Sequence, residues 1–303
     1  MTPTLGIMSS GVSGHIAPVF GGWTARTKAN AATSSVAYGA GTFTALGGGG
    51  GGACQTSPTG TTWTTQTALS VGGQTNISWN GTTFATVSGL GNTVAHTSTN
   101  GTAWTARTLP SSGAWGGIAW GNSLFVSARS GSTAGASSPD GATWTARTMP
   151  SSTAWQSFAY GASTFVGVSG FGTGYATSAN GTTWTGQTGL PAVAGTVLFG
   201  GTQFLLTVGT SSSVVYTSSN GTSWTARTMP SSSTWFYSTY GNGLYVVVNN
   251  SSLTTSAIST DGITWTAKTL TTLAGLGWSG VAYGGNTFVT VSGGPDVDTS
   301  TYA

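Results

Sequence analysis

Hydrophobic and polar residues recur along the chain with a fixed period. A Trp-Thr pair returns every 40 or 41 residues, and between successive pairs one aromatic residue is followed five positions later by another. No segment shows the 3.6-residue periodicity of an amphipathic helix. Both markers occur seven times, and the tryptophans of the Trp-Thr pairs are Trp23, Trp63, Trp104, Trp144, Trp184, Trp224 and Trp265.

Each repeat has the length of four short strands. The Gly- and Asn-rich residues between the paired aromatics predict a tight hairpin that joins two strands. A third strand ends in Ser-x-Asn-Gly or Ser-x-Asp-Gly, which predicts a second turn, and a fourth strand begins near the Trp. Four strands in about 40 residues are the size of one propeller blade. We therefore predict an all-β, seven-bladed β-propeller.

The two ends of the sequence complement each other. The Trp-Thr strand at Trp23 has no preceding Ser-x-Asn-Gly, and the last repeat, after Trp265, ends without a Trp-Thr strand. A closed ring would build a split seventh blade from residues near 21–28 and from residues 278–303, because this pairing removes the open sheet edge. We predict one propeller domain over 21–303, closed by its N- and C-terminal strands, after an extended N-terminal arm over 1–20.

Side chains alternate between the two faces of the predicted fourth strand. The Trp shares its face with a small residue two positions later, as Ala106 follows Trp104, so we interpret these tryptophans as core that packs on the next blade. A cationic ring at the rim is one interpretation of the other face; an outer strand protected against edge pairing is the one we favour. That face carries Arg26, Gln66, Arg107, Arg147, Gln187, Arg227 and Lys268.

The composition is poor in charge, with 4% charged residues and a net charge of +3 at pH 7. The positive balance reflects missing acids rather than a dense basic patch, so we expect no nucleic-acid partner. Cys54 is the single cysteine, and we interpret it as a small buried hydrophobic residue. The sequence contains no Glu, and its acidic residues are Asp140, Asp261, Asp296 and Asp298.

Candidate catalytic and metal-binding groups do not cluster in the sequence. Asp296 and Asp298 would share a face on a strand, but we predict a solvated loop there in preference to a weak calcium site. His15 and His96 lie in different regions and form no metal or nucleophile grouping with Cys54. We therefore expect no catalytic residues, no metal and no cofactor.

The stretch "SPDGATW" at 138–144 resembles the Asp-box, or BNR repeat, of sialidase-like propellers, whose pattern is Ser-x-Asp-x-Gly-x-Thr-Trp. One residue is missing between Asp and Gly, only Asp140 and Asp261 keep the acid, and Thr59 stands in the most degraded copy. The resemblance implies a folding element on the hairpin between the third and fourth strands, remote from an active site. A sialidase would also need a Glu base, which the sequence lacks, so we expect that the chain is not an enzyme.

The first residues do not fit the repeat. The stretch "TPTLGIMSSGVSGHI" resembles the opening shared by many predicted tail and virion-surface proteins of tailed bacteriophages. The resemblance implies a place on the phage particle and an arm that docks on other virion proteins; a frayed or self-packed terminus is the alternative. The stretch lacks a basic n-region and a long apolar run, so we expect neither a secretory signal nor membrane insertion. The arm's apolar residues are Leu5, Ile7, Met8 and Ile16.

The loops after the second strands differ most between repeats, and function on a rigid scaffold concentrates in such loops. We predict a non-catalytic, tail-associated virion structural protein. It would display the face of the propeller that bears these loops for adhesion to a host-surface glycan. A purely structural decoration of capsid or tail, or a non-viral lectin-like adhesin, are the alternatives. Tryptophans at the start of the first strand are candidates for sugar stacking, although we favour core packing for them: Trp115, Trp155, Trp235 and Trp278.

Overall fold

The computed structural model describes residues 20–29, 33–190, 195–251, 254–272 and 275–301. These residues form strands arranged in seven four-stranded antiparallel sheets, the blades of a propeller. In the described part of the chain, there is no helix with the length and hydropathy to cross a membrane. The predicted all-β, seven-bladed propeller is therefore confirmed.

Blade 7 combines both ends of the chain, whereas the strands of every other blade follow one another in sequence. Its outermost strand is β1 (Thr24–Thr27). Blade 1 contains β2 (Thr33–Gly39), β3 (Thr42–Gly47), β4 (Cys54–Ser57) and β5 (Thr64–Thr65). Blade 2 contains β6 (Gln74–Trp79), β7 (Phe84–Ser88), β8 (Val94–Ser98) and β9 (Thr105–Thr108). Blade 3 contains β10 (Trp115–Gly121), β11 (Leu124–Arg129), β12 (Ala134–Ser138) and β13 (Thr145–Thr148).

The remaining blades have the same plan. Blade 4 contains β14 (Trp155–Gly161), β15 (Thr164–Ser169), β16 (Tyr175–Ser178) and β17 (Thr185–Gln187). Blade 5 contains β18 (Val197–Gly200), β19 (Gln203–Leu206), β20 (Ser212–Ser218) and β21 (Thr225–Ser233). Blade 6 contains β22 (Trp235–Gly241), β23 (Leu244–Asn249), β24 (Thr255–Ser259) and β25 (Thr266–Thr269). Blade 7 adds β26 (Trp278–Gly284), β27 (Thr287–Ser292) and β28 (Asp296–Thr301) to β1.

The ring closes in two ways. The first strand of each blade contacts the first strand of the next, and β26 of blade 7 contacts β2 of blade 1. Within blade 7, β1 pairs with β28 in antiparallel register from Thr24 opposite Thr299 to Thr27 opposite Asp296. Lys28, which follows β1, is buried and donates its Nζ proton to the Gly294 carbonyl. Burial lowers the pKa of Lys28 to about 8, with nearby Asp296 opposing the shift.

The hydrophobic core consists of clusters between neighbouring blades, and each Trp of a Trp-Thr pair lies in one of them. Trp144 of blade 3, for example, packs with Ala85 and Val87 of the preceding blade. Its indole N–H donates to the Gly141 carbonyl at 2.8 Å. Trp23 has no such turn before it and donates instead to Ser256 Oγ of blade 6, at 2.9 Å. The indoles thus join blades to one another and to their own turns.

The turns between the third and fourth strands share one hydrogen-bond pattern. In blade 3, Ser138 Oγ accepts from Gly141 N at 2.8 Å and donates to Asp140 Oδ1 at 3.0 Å. Asp140 Oδ1 also accepts from Thr143 N at 2.9 Å. Burial raises the pKa of Asp140, but these hydrogen bonds outweigh it, so the pKa lies below its usual value. Equivalent bonds form at Asn100, Asn180, Asn220 and Asp261.

Candidate functional site

A cavity of about 640 Å³ opens at one end of the ring centre. The loops after the second strands surround it, so we call this end the cavity face and the other end, which bears the turns after the first and third strands, the opposite face. The sequence predicts that function concentrates in these loops, which lie on the cavity face. The first strands of all seven blades line the cavity, and the loops contribute Gly48, Gly89, Leu90, Ser130 and Phe171.

In six of the seven blades, a β-bulge at the start of the first strand turns one position toward the cavity. In β14, Trp155 pairs with Ser169 and Ser157 pairs with Val168, so Gln156 between them has no partner in the ladder. Such bulges re-aim a side chain and are frequent beside functional sites. The same register shift occurs in β2, β6, β10, β22 and β26. Thr196 takes the equivalent place in blade 5, just before β18, where the ladder has no register shift. Cavity-lining residues at this position are Ser34, Thr75, Gly116, Gln156, Thr196, Phe236 and Ser279.

Most hydroxyls at this position connect successive blades. Thr75 Oγ1 donates to the Gly116 carbonyl at 2.7 Å, and Ser34 Oγ donates to the Gln74 carbonyl. Ser279 Oγ donates within its own blade, to the Val291 carbonyl at 3.2 Å. These hydroxyls are therefore engaged in hydrogen bonds to the scaffold.

Four other side chains of the cavity are two amides and two aromatic rings. Among the described residues, the Gln156 amide has no hydrogen-bond partner, and Asn76 uses only its Oδ1, which accepts from Ile77 N at 2.8 Å. Phe236 lies in the bulge of β22, with its ring centroid 4.9 Å from that of Tyr237. Burial raises the pKa of Tyr237, so its phenol stays neutral at physiological pH. The cavity thus presents two amides and an aromatic pair.

The cavity is electrically neutral. Among the described residues, its lining includes no Asp, Glu, Lys, Arg or His. Arg129 ends β11 at the cavity face but does not belong to the lining. The basic residues of the fourth strands lie at the circumference, where third-strand hydroxyls hold them: Arg107 Nε donates to Thr97 Oγ1 at 3.0 Å, and Arg147 Nε to Ser137 Oγ at 2.8 Å. These cations therefore do not converge on a common ligand.

Exposed apolar side chains surround the mouth of the cavity. Leu90 and Phe171, in the loops after β7 and β15, are 54% and 77% exposed. Leu276, 73% exposed, lies beside Gly293 in the corresponding region of blade 7. On the opposite face, Ile263 in the turn between β24 and β25 is 45% exposed. The cavity face is therefore the more apolar of the two.

The tryptophans proposed for sugar stacking begin the first strands, as expected, but their indoles are buried. Each is at most 2% exposed, and the Trp115 N–H donates to the Ser111 carbonyl at 3.1 Å. This burial supports the core-packing alternative; ligand contact stays a prediction. Sequence reasoning did not single out the residue that follows each Trp, although it varies within an otherwise regular repeat. The four tryptophans are Trp115, Trp155, Trp235 and Trp278.

The prediction of a solvated loop at Asp296 and Asp298 is wrong. Both lie on β28, and Asp298 is completely buried. Its carboxylate accepts hydrogen bonds from the backbone N–H of Thr271 at 2.7 Å and of Thr272 at 3.2 Å, and from both hydroxyls at 3.0 and 2.8 Å. These donors satisfy the buried charge, so the strand tolerates it.

The other candidate groups are dispersed. Cys54 is buried in blade 1, as expected, and burial raises the pKa of its thiol to about 11. His96 lies in β8 of blade 2. Among the described residues, no three His, Cys, Asp or Glu side chains come together to hold a metal ion. His15 and the predicted arm residues Leu5, Ile7, Met8 and Ile16 lie outside the described residues.

Solved structures share this fold at low sequence identity. A catalytically inactive virginiamycin B lyase from Staphylococcus aureus, with quinupristin, is 10% identical over 92% of this chain and 98% of that one, with a TM-score of 0.79. YCF48 bound to D1 peptide is 15% identical over 95% and 97%, with a TM-score of 0.71. YCF48 from Cyanidioschyzon merolae is 13% identical over 92% and 98%, with a TM-score of 0.68. No family model and no curated protein matches the sequence.

These likenesses correct one expectation. We expected that the chain is not an enzyme, but propellers of the same shape include the virginiamycin B lyases, which are enzymes. The expectation was wrong because it rested on the missing Glu base of sialidases and on the lack of clustered catalytic or metal-binding groups, which do not exclude an enzyme of another kind. At about 10% identity the likeness shows the fold alone, so no lyase residue is transferred to this chain.

Proposed function

We propose that this protein is a propeller carried on a phage virion that adheres to a host-surface glycan through its cavity face. The observation that carries the proposal is the cavity at the ring centre, to which all seven blades contribute and in which two amides and an aromatic pair remain available. Concave sites with apolar walls and a few placed polar groups are typical of ligand binding.

The position of the N-terminus supports a division between attachment and display. β28 starts after the loop at 293–295 on the cavity face and ends at Thr301 on the opposite face. Gly21 N donates to the Thr301 carbonyl at 3.0 Å, and Phe20 packs on Trp23 with ring centroids 5.4 Å apart. The arm over 1–20 therefore joins the propeller at the opposite face. A virion bound there leaves the cavity face directed outward.

Propellers of this shape provide further support for a binding role. The virginiamycin B lyase structure contains quinupristin, and YCF48 was solved bound to a D1 peptide. The fold therefore suits recognition of other molecules in at least these proteins. A glycan as the ligand of this chain, and the phage particle as its location, are our proposals.

A glycan array with matched variants tests the binding proposal. Wild-type protein should bind at least one glycan, and Phe171→Asp, which places a charge at the mouth of the cavity, should abolish the signal. Ile263→Asp places the same charge in an exposed turn of the opposite face and should leave the signal unchanged. Binding lost with Ile263→Asp but kept with Phe171→Asp would place the site on the opposite face and contradict the proposal. Binding to no glycan would refute adhesion.

The arm is tested separately. A protein lacking residues 1–17 should fold like the full chain, because blade 7 needs Trp23 but nothing before about residue 18. The truncated protein should bind the same glycans and yet fail to join the virion. Incorporation at the normal copy number would contradict attachment through the arm and favour the decoration alternative.

A further inference from the structure

We infer that the cavity binds an uncharged sugar ring, stacked on Phe236 and hydrogen-bonded by Gln156 and Asn76, and that it rejects acidic sugars. The inference rests on the proposed function and specifies its ligand class. A cavity of about 640 Å³ lies within the range of about 300–1,000 Å³ usual for small-ligand sites.

The stacking surface comes from one strand. The bulge in β22 removes Phe236 from the ladder and places it in the cavity lining, while its backbone carbonyl accepts from Thr196 Oγ1 at 2.5 Å and from Thr207 Oγ1 at 2.8 Å. Two hydroxyls of blade 5 thus hold the backbone of Phe236, and these hydrogen bonds do not involve its ring. Tyr237 supports the ring from the adjacent position. Aromatic rings offer a large apolar face at small cost in conformational entropy.

The amides supply the polar contacts. Gln156 lies in the bulge of β14, and β18 separates this strand from β22. Asn76 lies in β6. Both line the cavity, and within the described residues the Gln156 amide and the Asn76 Nδ2 donate to no protein acceptor. An amide carries donors and an acceptor, so it can bond the vicinal hydroxyls of a sugar, which are donors and acceptors as well. A ligand without such groups would displace water from these amides without replacing its hydrogen bonds, and the amides would be left unpaired.

The neutral lining determines which sugars fit. A carboxylate that enters a site without a counter-charge loses hydration that no ion pair replaces. The described part of the chain contributes no Lys, Arg or His to this lining, and Arg129 lies outside it. Sialic and uronic acids should therefore bind much more weakly than neutral sugars of the same size.

Calorimetric titration of neutral oligosaccharides and their sialylated counterparts tests the inference. The probes are lactose with 3′-sialyllactose, and N-acetyllactosamine with its 3′-sialylated form, together with maltose and N,N′-diacetylchitobiose. We expect at least one neutral probe to bind. We also expect no sialylated probe to bind within tenfold of the tightest neutral one.

Variants locate the contacts. Phe236→Ala should weaken binding at least tenfold, Phe236→Tyr should restore it, and Gln156→Ala should weaken it about fivefold. Ile263→Ala should leave binding unchanged, and thermal melts should show that each variant is folded. Binding of a neutral probe that is unaffected by Phe236→Ala, or failure of every neutral probe, overturns the inference. A sialylated probe that binds tightly and is lost with Phe171→Asp overturns the neutral-ligand claim while leaving the cavity face as the proposed site.

Discussion

Asp298 is a buried carboxylate that holds the connection between two blades. It accepts four hydrogen bonds from Thr271 and Thr272. These two residues lie after β25 of blade 6, whereas Asp298 lies on β28 of blade 7. A buried donor that loses its acceptor costs about 1–3 kcal/mol. The side chain therefore contributes to the stability of the closed ring rather than to chemistry at the cavity.

Replacing Asp298 should show this contribution. We expect Asp298→Ala to lower the free energy of unfolding by about 1–3 kcal/mol, because the partly buried donors of Thr271 and Thr272 lose their acceptor. Asp298→Asn keeps one acceptor oxygen and should lose less. Urea unfolding followed by tryptophan fluorescence measures both variants. A loss below about 1 kcal/mol for Asp298→Ala would mean that water or other groups satisfy the threonine donors.

His96 gives the fold a pH dependence in the mildly acidic range. Burial lowers the pKa of His96 from its usual 6.5 to about 4. The unfolded chain therefore binds a proton between these values while the folded chain does not, so stability falls as the pH falls through this window. From pH 7 to pH 5 the loss should be about 2 kcal/mol.

The matched variant is His96→Gln, which keeps a hydrogen-bonding group for Ser70, the present partner of His96 Nε2 at 3.0 Å. Denaturant unfolding at pH 7 and pH 5 should give a smaller difference for the variant than for the wild type. Equal differences in the two proteins would assign the acid sensitivity to other groups.

The sequence pointed to the face that bears the cavity but not to the side chains that are available inside it. Trp115 and Trp155 drew attention because they recur, and recurrence in a propeller marks the packing that every blade needs. Gln156 and Phe236 follow such tryptophans, at a position whose residue differs from blade to blade. Variation at one position of a regular repeat was thus the available signal. The bulge that turns this position inward depends on pairing with the second strand, which the sequence does not reveal.

At the scale of strands, contact between neighbouring blades depends on the aromatic-Gly pair that ends most first strands. A Cβ atom on Gly161, at the end of β14, would lie 1.9 Å from Cγ of Phe199 in blade 5. The aromatic ring thus occupies the space that a side chain would need. This explains why Gly follows the aromatic in "AYG" and "LFG", where turn geometry alone does not require it.

Gly161→Ala should therefore destabilise the protein by about 1–3 kcal/mol, because the Phe199 ring must move or leave its rotamer. Gly186→Ala is the control: Gly186 also lies on a strand, β17, but its added Cβ would meet Pro150 at an ordinary 3.4 Å. Thermal unfolding of both variants should lower the melting temperature only for Gly161→Ala. Equal melting temperatures would show that the blades adjust without strain.

Most strands were predictable because each blade repeats the same turn chemistry. The Ser-x-Asn-Gly and Ser-x-Asp-Gly motifs close the turns after the third strands, where Asn and Asp side chains accept from the backbone. The predicted split blade over 278–303 includes β28, but Asp296 and Asp298 of this strand were assigned to a loop because they follow Gly294 and Pro295. Its pairing on both sides, with β27 and with β1, decides its structure instead.

At the scale of the whole molecule, closure depends on β28. This strand lies between β27 and β1, and it buries Val297 between blades 7 and 1. Deleting residues 294–303 should therefore expose two strand edges and lower the free energy of unfolding by several kcal/mol, or cause aggregation. Deleting residues 1–17 is the matched control, since the closure begins only at Gly21. Unchanged unfolding and solubility after the C-terminal deletion would argue against the closed ring.

Hydrogen exchange with and without a bound sugar tests most directly that the cavity face recognises a ligand. The protein is exchanged alone and saturated with the neutral oligosaccharide that binds it most tightly in the titrations. Our account predicts slower exchange in the first strands that line the cavity, at 74–76, 155–158 and 235–238. It predicts no change in the turns of the opposite face at 139–143 and 260–264. Protection confined to those turns, with none at the cavity, would contradict it.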